Sequence, residues 1–235
     1  MANSFLPRFI RTSGLNACYL CETAITSNEK VCEFCFSELQ EIRGACKGCA
    51  LPMQVDQAGF CGQCREKRMT TTIILAAYRY APPLNFLVHG FKYHQQVTIL
   101  DSLCNKLNSV IKAAYSEQES LPSTLYPVPL HPKRHRERGY NQAVEIAKRL
   151  RDCELAIPVS SQCRRIKNTR SQSELTHAER ARNVEAVFEI NETVDSHVAI
   201  IDDVLTTGAT VAALAQTLKE SGAKRIDVWC IARAF

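Results

Sequence analysis

The residues with the most chemical content stand together in AIIDDVLTTGATV, positions 199–211. Two carboxylates, Asp202 and Asp203, follow an apolar run, and Val204, Leu205, Thr206, Thr207, Gly208, Ala209 and Thr210 come next. A continuous run such as VAII suits a parallel strand buried on both faces, so the acids emerge at its end. The hydroxyl-bearing residues then turn the chain into a helix, whose first N–H groups favour an anion. Threonine hydroxyls add donors, and Gly208 permits close backbone approach. A phosphate fits this turn. Carboxylates one sugar's width away can accept hydrogen bonds from ribose hydroxyls, and the set together describes a ribose 5-phosphate. A Mg²⁺ pocket of the response-regulator kind would not need Thr-Thr-Gly-x-Thr directly after the acids. The GxxxxGK[ST] phosphate loop has no match in the chain.

A second group is near the N-terminus. Eight of the twelve cysteines form four CxxC pairs: Cys18/Cys21, Cys32/Cys35, Cys46/Cys49 and Cys61/Cys64. Two CxxC turns complete a tetrahedral Zn²⁺ site with Zn–S distances of about 2.3 Å, so eight thiolates predict two structural zinc ions. Redox dithiols and an iron–sulfur cluster are the competing readings; a thioredoxin-type CxxC usually occurs once, beside a βαβ pattern. The gaps of ten, ten and eleven residues between pairs allow sequential or cross-braced pairing. Sequential pairing makes each half a compact ribbon and is the favoured arrangement. Four-cysteine sites are closed, so no chemistry is assigned to them. Cys104, Cys153, Cys163 and Cys230 are read as ordinary small packing residues.

The elements that must position these groups alternate. TTIILAAYRYA reads as a strand ended by Pro82-Pro83, and LNFLVHGFKYH as helix into turn. Leu100, Leu103, Leu107 and Ile111 mark a helix. TLYPVPL is a short strand, and a helix starts near Asn141. Residues 164–182 read as a polar, mobile loop, followed by the strands VEAVFEI and HVAIIDD. A helix closed by Gly222 and the strand RIDVWCIARAF complete the chain. The expected fold is α/β, a parallel sheet flanked by helices, with a cysteine module at 1–67 and the sheet domain at 68–235. Ligands in such sheets sit at the carboxyl ends of strands. With 46% hydrophobic residues and net charge +5, the composition is that of an ordinary globular chain. No apolar run approaches the ~18 residues of a membrane span, and residues 1–15 lack the apolar core of a signal peptide; a cytoplasmic location is expected.

The charge is concentrated. Lys133 to Arg151 holds seven Lys/Arg against two Glu, and Arg164 to Arg182 six against two. Lys148, Arg149 and Arg151 read as a solvated helix face. PKRHRERGYNQ directly follows an apolar strand, which brings it to the same sheet edge as the phosphate turn, where a pyrophosphate would lie.

AIIDDVLTTGATV resembles the phosphoribosyl-diphosphate (PRPP) signature of the type I phosphoribosyltransferases: four apolar residues, two acids, then V-x-[ST]-[ST]-G-x-[ST]. By that resemblance Thr206, Thr207, Gly208, Ala209 and Thr210 bind the 5-phosphate, and Asp202 and Asp203 the ribose hydroxyls. More narrowly, PVPLHPKRHRERGYNQA with RIKNTRSQSELTHAERARNVEAVF resembles the ComF (GntX-like) family, named for a competence protein of bacterial DNA uptake. That family couples a cysteine zinc module to a phosphoribosyltransferase domain. Its pattern falls here on Pro127, Val128, Pro129, Leu130, Arg134, Arg138, Gly139, Tyr140, Asn141 and Gln142, then on Arg165, Thr169, Gln172, Leu175, Arg180 and Asn183.

The resemblance implies Mg²⁺-dependent loss of pyrophosphate from the ribose anomeric carbon. Arg134, Arg136 and Arg138 are the cations expected at the pyrophosphate, Asp202, Asp203, Arg134 and Arg138 being the expected catalytic set. The loop with Arg165, Lys167, Arg170 and Gln172 is the expected hood, Arg165 and Gln172 reaching PRPP. No residue marks an acceptor; Tyr140 could stack on a base, and His89, His94 and His131 are weak acid–base candidates. The other expectation is a PRPP sensor of the DNA-uptake machinery that binds single-stranded DNA and competence proteins, with Tyr78, Tyr80, Phe91 and Tyr93 available for stacking.

Overall fold

The computed structural model describes residues 16–26, 29–53, 59–66, 73–93, 98–115, 120–166 and 187–235. In chain order the elements are β1 (Asn16–Ala17), β2 (Ala24–Ile25), α1 (Glu33–Ser37), α2 (Gly62–Glu66), β3 (Ile74–Arg79), α3 (Leu84–Tyr93) and α4 (Ile99–Ala114). Next come β4 (Thr124–Pro127), α5 (Pro132–Arg138), α6 (Gln142–Leu150), a π-helical turn (Arg151–Leu155) and β5 (Cys163–Arg165). β6 (Phe188–Ile190), β7 (His197–Leu205), α7 (Ala209–Glu220) and β8 (Arg225–Arg233) complete the order.

Four strands form one sheet in the order β3-β8-β7-β4, and each pairing is parallel. Val198, Ala199, Ile200 and Ile201 of β7 are fully buried, as a central strand covered on both faces must be. The strand's alternation divides its residues between two apolar clusters. Ala199 and Ile201 join Leu75, Leu125 and Trp229 in a core shared with Leu87, Leu103 and Ile146 of α3, α4 and α6. Val198 and Ile200 join Tyr126, Ile226 and Val228 in a second core with Leu214 and Leu218 of α7 and Phe188 of β6. The sheet is thus a middle layer, and every loop at the carboxyl ends of its strands leaves from the same edge.

At the opposite edge a buried carboxylate ties the layers together. Asp227, fully enclosed, accepts from the Ile73 N–H (2.9 Å) and the Tyr115 hydroxyl (2.6 Å). His197 Nε2 lies 2.7 Å from it, and Arg225 Nε 3.2 Å.

The cysteine module rests on the outer edge of β3. Glu41 bridges Tyr78 in antiparallel fashion, the Ile42 N–H donates to the Ala77 carbonyl (3.0 Å), and the Arg79 N–H to the Gln40 carbonyl (2.8 Å). An exposed strand edge is thereby occupied within the chain. Lys106 of α4 adds an ion pair to Glu41 at 2.6 Å.

The parallel sheet is as expected from the sequence. Two basic segments differ. PKRHRER, with no apolar periodicity and ahead of the helix expected from Asn141, forms the helix α5: the His131 side chain caps it by accepting from the Lys133 N–H, Pro132 takes its first turn, and Gly139 ends it. Residues 164 and 165 are not in a loop but in β5, paired antiparallel with β6 through Arg165 opposite Phe188; burial of the Phe188 ring anchors the pair. The rest of that loop, with Lys167, Thr169, Arg170, Gln172, Leu175, Arg180 and Asn183, lies outside the described residues, as does His94. Tyr78 and Phe91 are core residues, 1% and 0% exposed, which removes them as stacking platforms. Among the described residues no helix is long and apolar enough to cross a membrane.

Candidate functional site

β7 delivers the acids to the carboxyl edge of the sheet. The Asp202 carboxylate accepts from the Asp203 N–H (2.8 Å), and the Asp203 carboxylate from the Val204 N–H (2.7 Å). Burial, and then the neighbouring Asp203 charge, push the Asp202 carboxyl up to about 7. Asp203 has its own cation: Lys92 Nζ, from the last turn of α3, lies 2.7 Å away. Lys92 is the residue that sequence reasoning missed at this site. Its only signal was a lone lysine among apolar residues in LNFLVHGFKYH.

After the acids the chain makes the expected turn. Thr206 and Thr207 are exposed, and Gly208 precedes α7 with φ +78°. A side chain is strained in that left-handed conformation, which is why glycine stands there. Gly208 has no side chain to cap the helix; the Ala209 N–H makes a long 3.4 Å contact to the Thr207 hydroxyl, and helix N-terminal N–H groups of this kind suit an anion. Asp202 and residues 204–211 line one pocket. The structure thus brings Asp202, Thr206, Thr207, Gly208, Ala209 and Thr210 together around it.

The basic side is built by the neighbouring strand. β4 ends at Pro127, and Asn141 fixes the return of the chain. Its Oδ1 accepts from the Ala143 N–H to cap α6 (2.9 Å), and its Nδ2 donates to the Val128 carbonyl (3.0 Å). α5 spans the interval with Arg134 and Arg136 exposed. Arg134 and Arg138 are one turn apart on one helix face, and Arg136 points to the other. Arg138 is braced by donating to the Gln142 Oε1 (3.2 Å). Arg165 lies over the Phe188 ring, 5.7 Å from its centroid. Burial first, and then the Arg134 charge, lower the Arg165 guanidinium, while the Asp202 charge opposes this. The Tyr140 hydroxyl is enclosed without a hydrogen-bond partner among the described residues.

The cysteines gather as two sequential sets, Cys18, Cys21, Cys32 and Cys35, and Cys46, Cys49, Cys61 and Cys64, with the four Sγ atoms of each within 4.8 Å of one another. Tetrahedral Zn–S bonds of about 2.3 Å require S···S edges of about 3.8 Å. The Cys21–Cys32 and Cys49–Cys61 sulfurs are 3.6 and 3.9 Å apart, so both sets fit the ion. Backbone N–H groups point at the sulfurs: Cys32 N at Cys18 Sγ (3.3 Å) and Cys61 N at Cys46 Sγ (3.1 Å). Hydrogen bonds with the Thr23 side chain and backbone bring the Cys21 thiol down to about 6. Cys46 falls to about 7: burial raises it, but the Cys61 and Gly48 N–H groups prevail. Those two shifts favour the thiolate that binds metal, whereas burial pushes the Cys35, Cys49 and Cys64 thiols up.

Each set also touches an element that carries residues of the sheet-edge site. Tyr19, inside the first set, lies against Gly90 of α3; a Cβ at Gly90 would be 2.7 Å from its ring. Gly90 precedes Lys92 by two residues. On the other side Arg233, at the end of β8, donates from Nε to the Cys49 carbonyl (3.0 Å) and from Nη1 to the Leu205 carbonyl (3.0 Å). The Thr206 and Ala234 carbonyls also accept from that Nη1.

The family model for the phosphoribosyl transferase domain matches residues 136–234. The DNA utilization protein YhgH of Salmonella typhimurium is 32% identical over 221 residues, covering 93% of this chain and 97% of its own. Competence protein F of Haemophilus influenzae is 32% identical over 195 residues, 80% of this chain and 84% of its own. A purine phosphoribosyltransferase from Pyrococcus horikoshii superposes with a TM-score of 0.36 and 19% identity over 57% of this chain and 72% of that one.

Proposed function

The chain belongs to the ComF/YhgH family of proteins with a phosphoribosyl transferase domain, and from that premise we propose that it binds PRPP in the service of DNA uptake or utilization and transfers the phosphoribosyl group to an acceptor. The observation that carries this is the pocket of Asp202 and residues 204–211 at the start of α7. Thr206–Thr210 hold the 5-phosphate by hydroxyl and backbone donors. Asp202 accepts from the ribose hydroxyls, and Asp203 joins it once Lys92 turns to the ligand. Arg134 and Arg165 meet the pyrophosphate, and Arg138 holds the α5–α6 corner that presents them. Of the α5 arginines, the shared neighbourhood of Arg134 and Arg165 favours Arg134 over Arg136.

In the transfer, the bond from the anomeric carbon to the pyrophosphate oxygen breaks and its electron pair leaves with pyrophosphate. The acceptor's lone pair forms the new bond, and the acceptor gives up a proton. The protein's contribution is electrostatic, cations fixed where charge develops on the leaving group. The carboxylates and ligand phosphates are the hard oxygen donors that Mg²⁺ takes, and Mg²⁺ supplies further neutralisation of the pyrophosphate when bound. Calorimetric titration with PRPP and Mg²⁺ tests the binding: wild type binds, and D202N/D203N loses at least tenfold in affinity. Equal affinity of the two overturns it. Pyrophosphate release, assayed over a panel of bases and amines, tests the transfer.

One observation favours a second reading, a PRPP sensor that binds single-stranded DNA. Lys133, Arg134, His135 and Arg136 are all exposed on α5, the kind of basic track that follows a nucleic-acid backbone. Affinity for an oligonucleotide that does not fall as salt rises counts against it.

A further inference from the structure

We propose that Arg233 is a positioning residue through which the second four-cysteine set shapes the phosphate loop. Metal occupancy at Cys46, Cys49, Cys61 and Cys64 and anion binding at Thr206–Thr210 are then coupled. The inference rests on the reading of that loop as a phosphate site.

The coupling follows from peptide geometry. In a planar trans peptide the C=O and N–H point in opposite directions. Arg233 draws the Leu205 and Thr206 carbonyls toward itself. The N–H groups of the same two peptides, those of Thr206 and Thr207, are thereby turned away from Arg233, toward the side where a phosphate is received. The Leu205 carbonyl is held as well by the Ala234 N–H (2.9 Å), so loss of the guanidinium frees chiefly the Thr206–Thr207 peptide to rotate and releases the Thr207 N–H from its aim.

The same guanidinium is seated on the metal knuckle. Its Nε donates to the Cys49 carbonyl at 3.0 Å. That carbonyl belongs to the turn closed by the Ala50 N–H on the Cys46 carbonyl (2.8 Å) and the Gly48 N–H on Cys46 Sγ (3.4 Å). Ala50, fully buried with φ +55°, packs in the apolar cluster that contains Leu205 and Val211. The guanidinium is a rigid fork, so a displaced Cys49 carbonyl moves the donor that holds the loop. The coupling is reciprocal by thermodynamic necessity: what the metal does to the anion, the anion does to the metal site.

The test uses the full chain with ¹¹³Cd in both cysteine sets, titrated with ribose 5-phosphate. In the free protein, R233Q shifts one of the two cadmium resonances, which identifies it as that of the second set. In wild type the same resonance moves as ligand saturates and the other stays. R233Q and R233K both bind ribose 5-phosphate about tenfold more weakly, the scale of hydrogen bonds from a charged donor, while both metals stay bound. R233K keeps the charge and loses the fork, so it separates geometry from a general positive field. A wild-type cadmium resonance that does not move at saturation, or R233K with wild-type affinity, overturns the inference and leaves the phosphate site standing. Wild type that binds no ribose 5-phosphate overturns the phosphate site, and this inference with it.

Discussion

Asp202 and Asp203 are neighbours in sequence with different surroundings. Lys92 at 2.7 Å keeps a cation on Asp203, whereas Asp202 is pushed up from 3.8 to about 7. Native Asp202 therefore holds a proton that the unfolded chain has released, so its contribution to stability is lost as pH rises from about 4 to about 7 and is constant above. D202N removes this. The variant melts about 2–8 °C higher than wild type at pH 8, on the order of 1–2 kcal/mol, and calorimetry at pH 5 finds a smaller difference. Ribose hydroxyls need the ionised form, so PRPP affinity of wild type falls as pH drops through 7, which titrations at pH 6 and 8 check. K92M leaves the largely buried Asp203 carboxylate without its cation and costs about 1–2 kcal/mol in urea unfolding. The pair itself was not legible in the sequence, because positions 92 and 203 meet only when α3 packs back on the sheet. The acids and the threonine turn were legible, because strand, acids and loop are contiguous.

At the scale of elements, the short ones carried the surprises. The helices α4 and α7 are long enough for periodicity to declare them. α5 has seven residues, all polar or proline, with none buried, so no apolar stripe could announce it. Its signals were local: a capping side chain, a proline in the first turn and a glycine at the end. The β5–β6 pair has three residues a side, below the length at which alternation can be read. Asn141 links these elements, since one side chain both caps α6 and holds the end of the β4 segment. N141A is expected to cost about 1–3 kcal/mol in urea unfolding, and to weaken PRPP binding through the loosened α5–α6 corner. G208A is expected to cost about 1 kcal/mol for its positive φ, with a larger proportional loss in phosphate affinity than in stability.

For the whole molecule, the cysteine sets and the sheet are one packed object: Leu39 and Cys35 belong to the same apolar cluster as Leu87 and Trp229. Metal analysis is expected to return two zinc ions per chain; iron, or none, counts against the assignment. Chelation is expected to expose apolar surface around Tyr78 and Leu39, read by dye binding, and to lower the melting temperature, because metal binding at such a site supplies much of its folding energy. The two sets were legible from CxxC spacing alone. Their attachment to the sheet was not, since Gln40 and Ile42 pair with β3 through backbone groups that any residue would offer. The strand order has a consequence for synthesis. β8 stands between β3 and β7, yet it is made after both. While the ribosome is still translating, β3 has the cysteine module on one side and an unfilled slot on the other. Residues 225–233 close that slot, bring Arg233 to the Leu205 and Thr206 carbonyls, and so complete the sheet and the turn after Asp203 in one late step. A nascent chain stalled short of them is expected to lack the closed four-strand sheet and the backing of the pocket formed by Asp202 and residues 204–211.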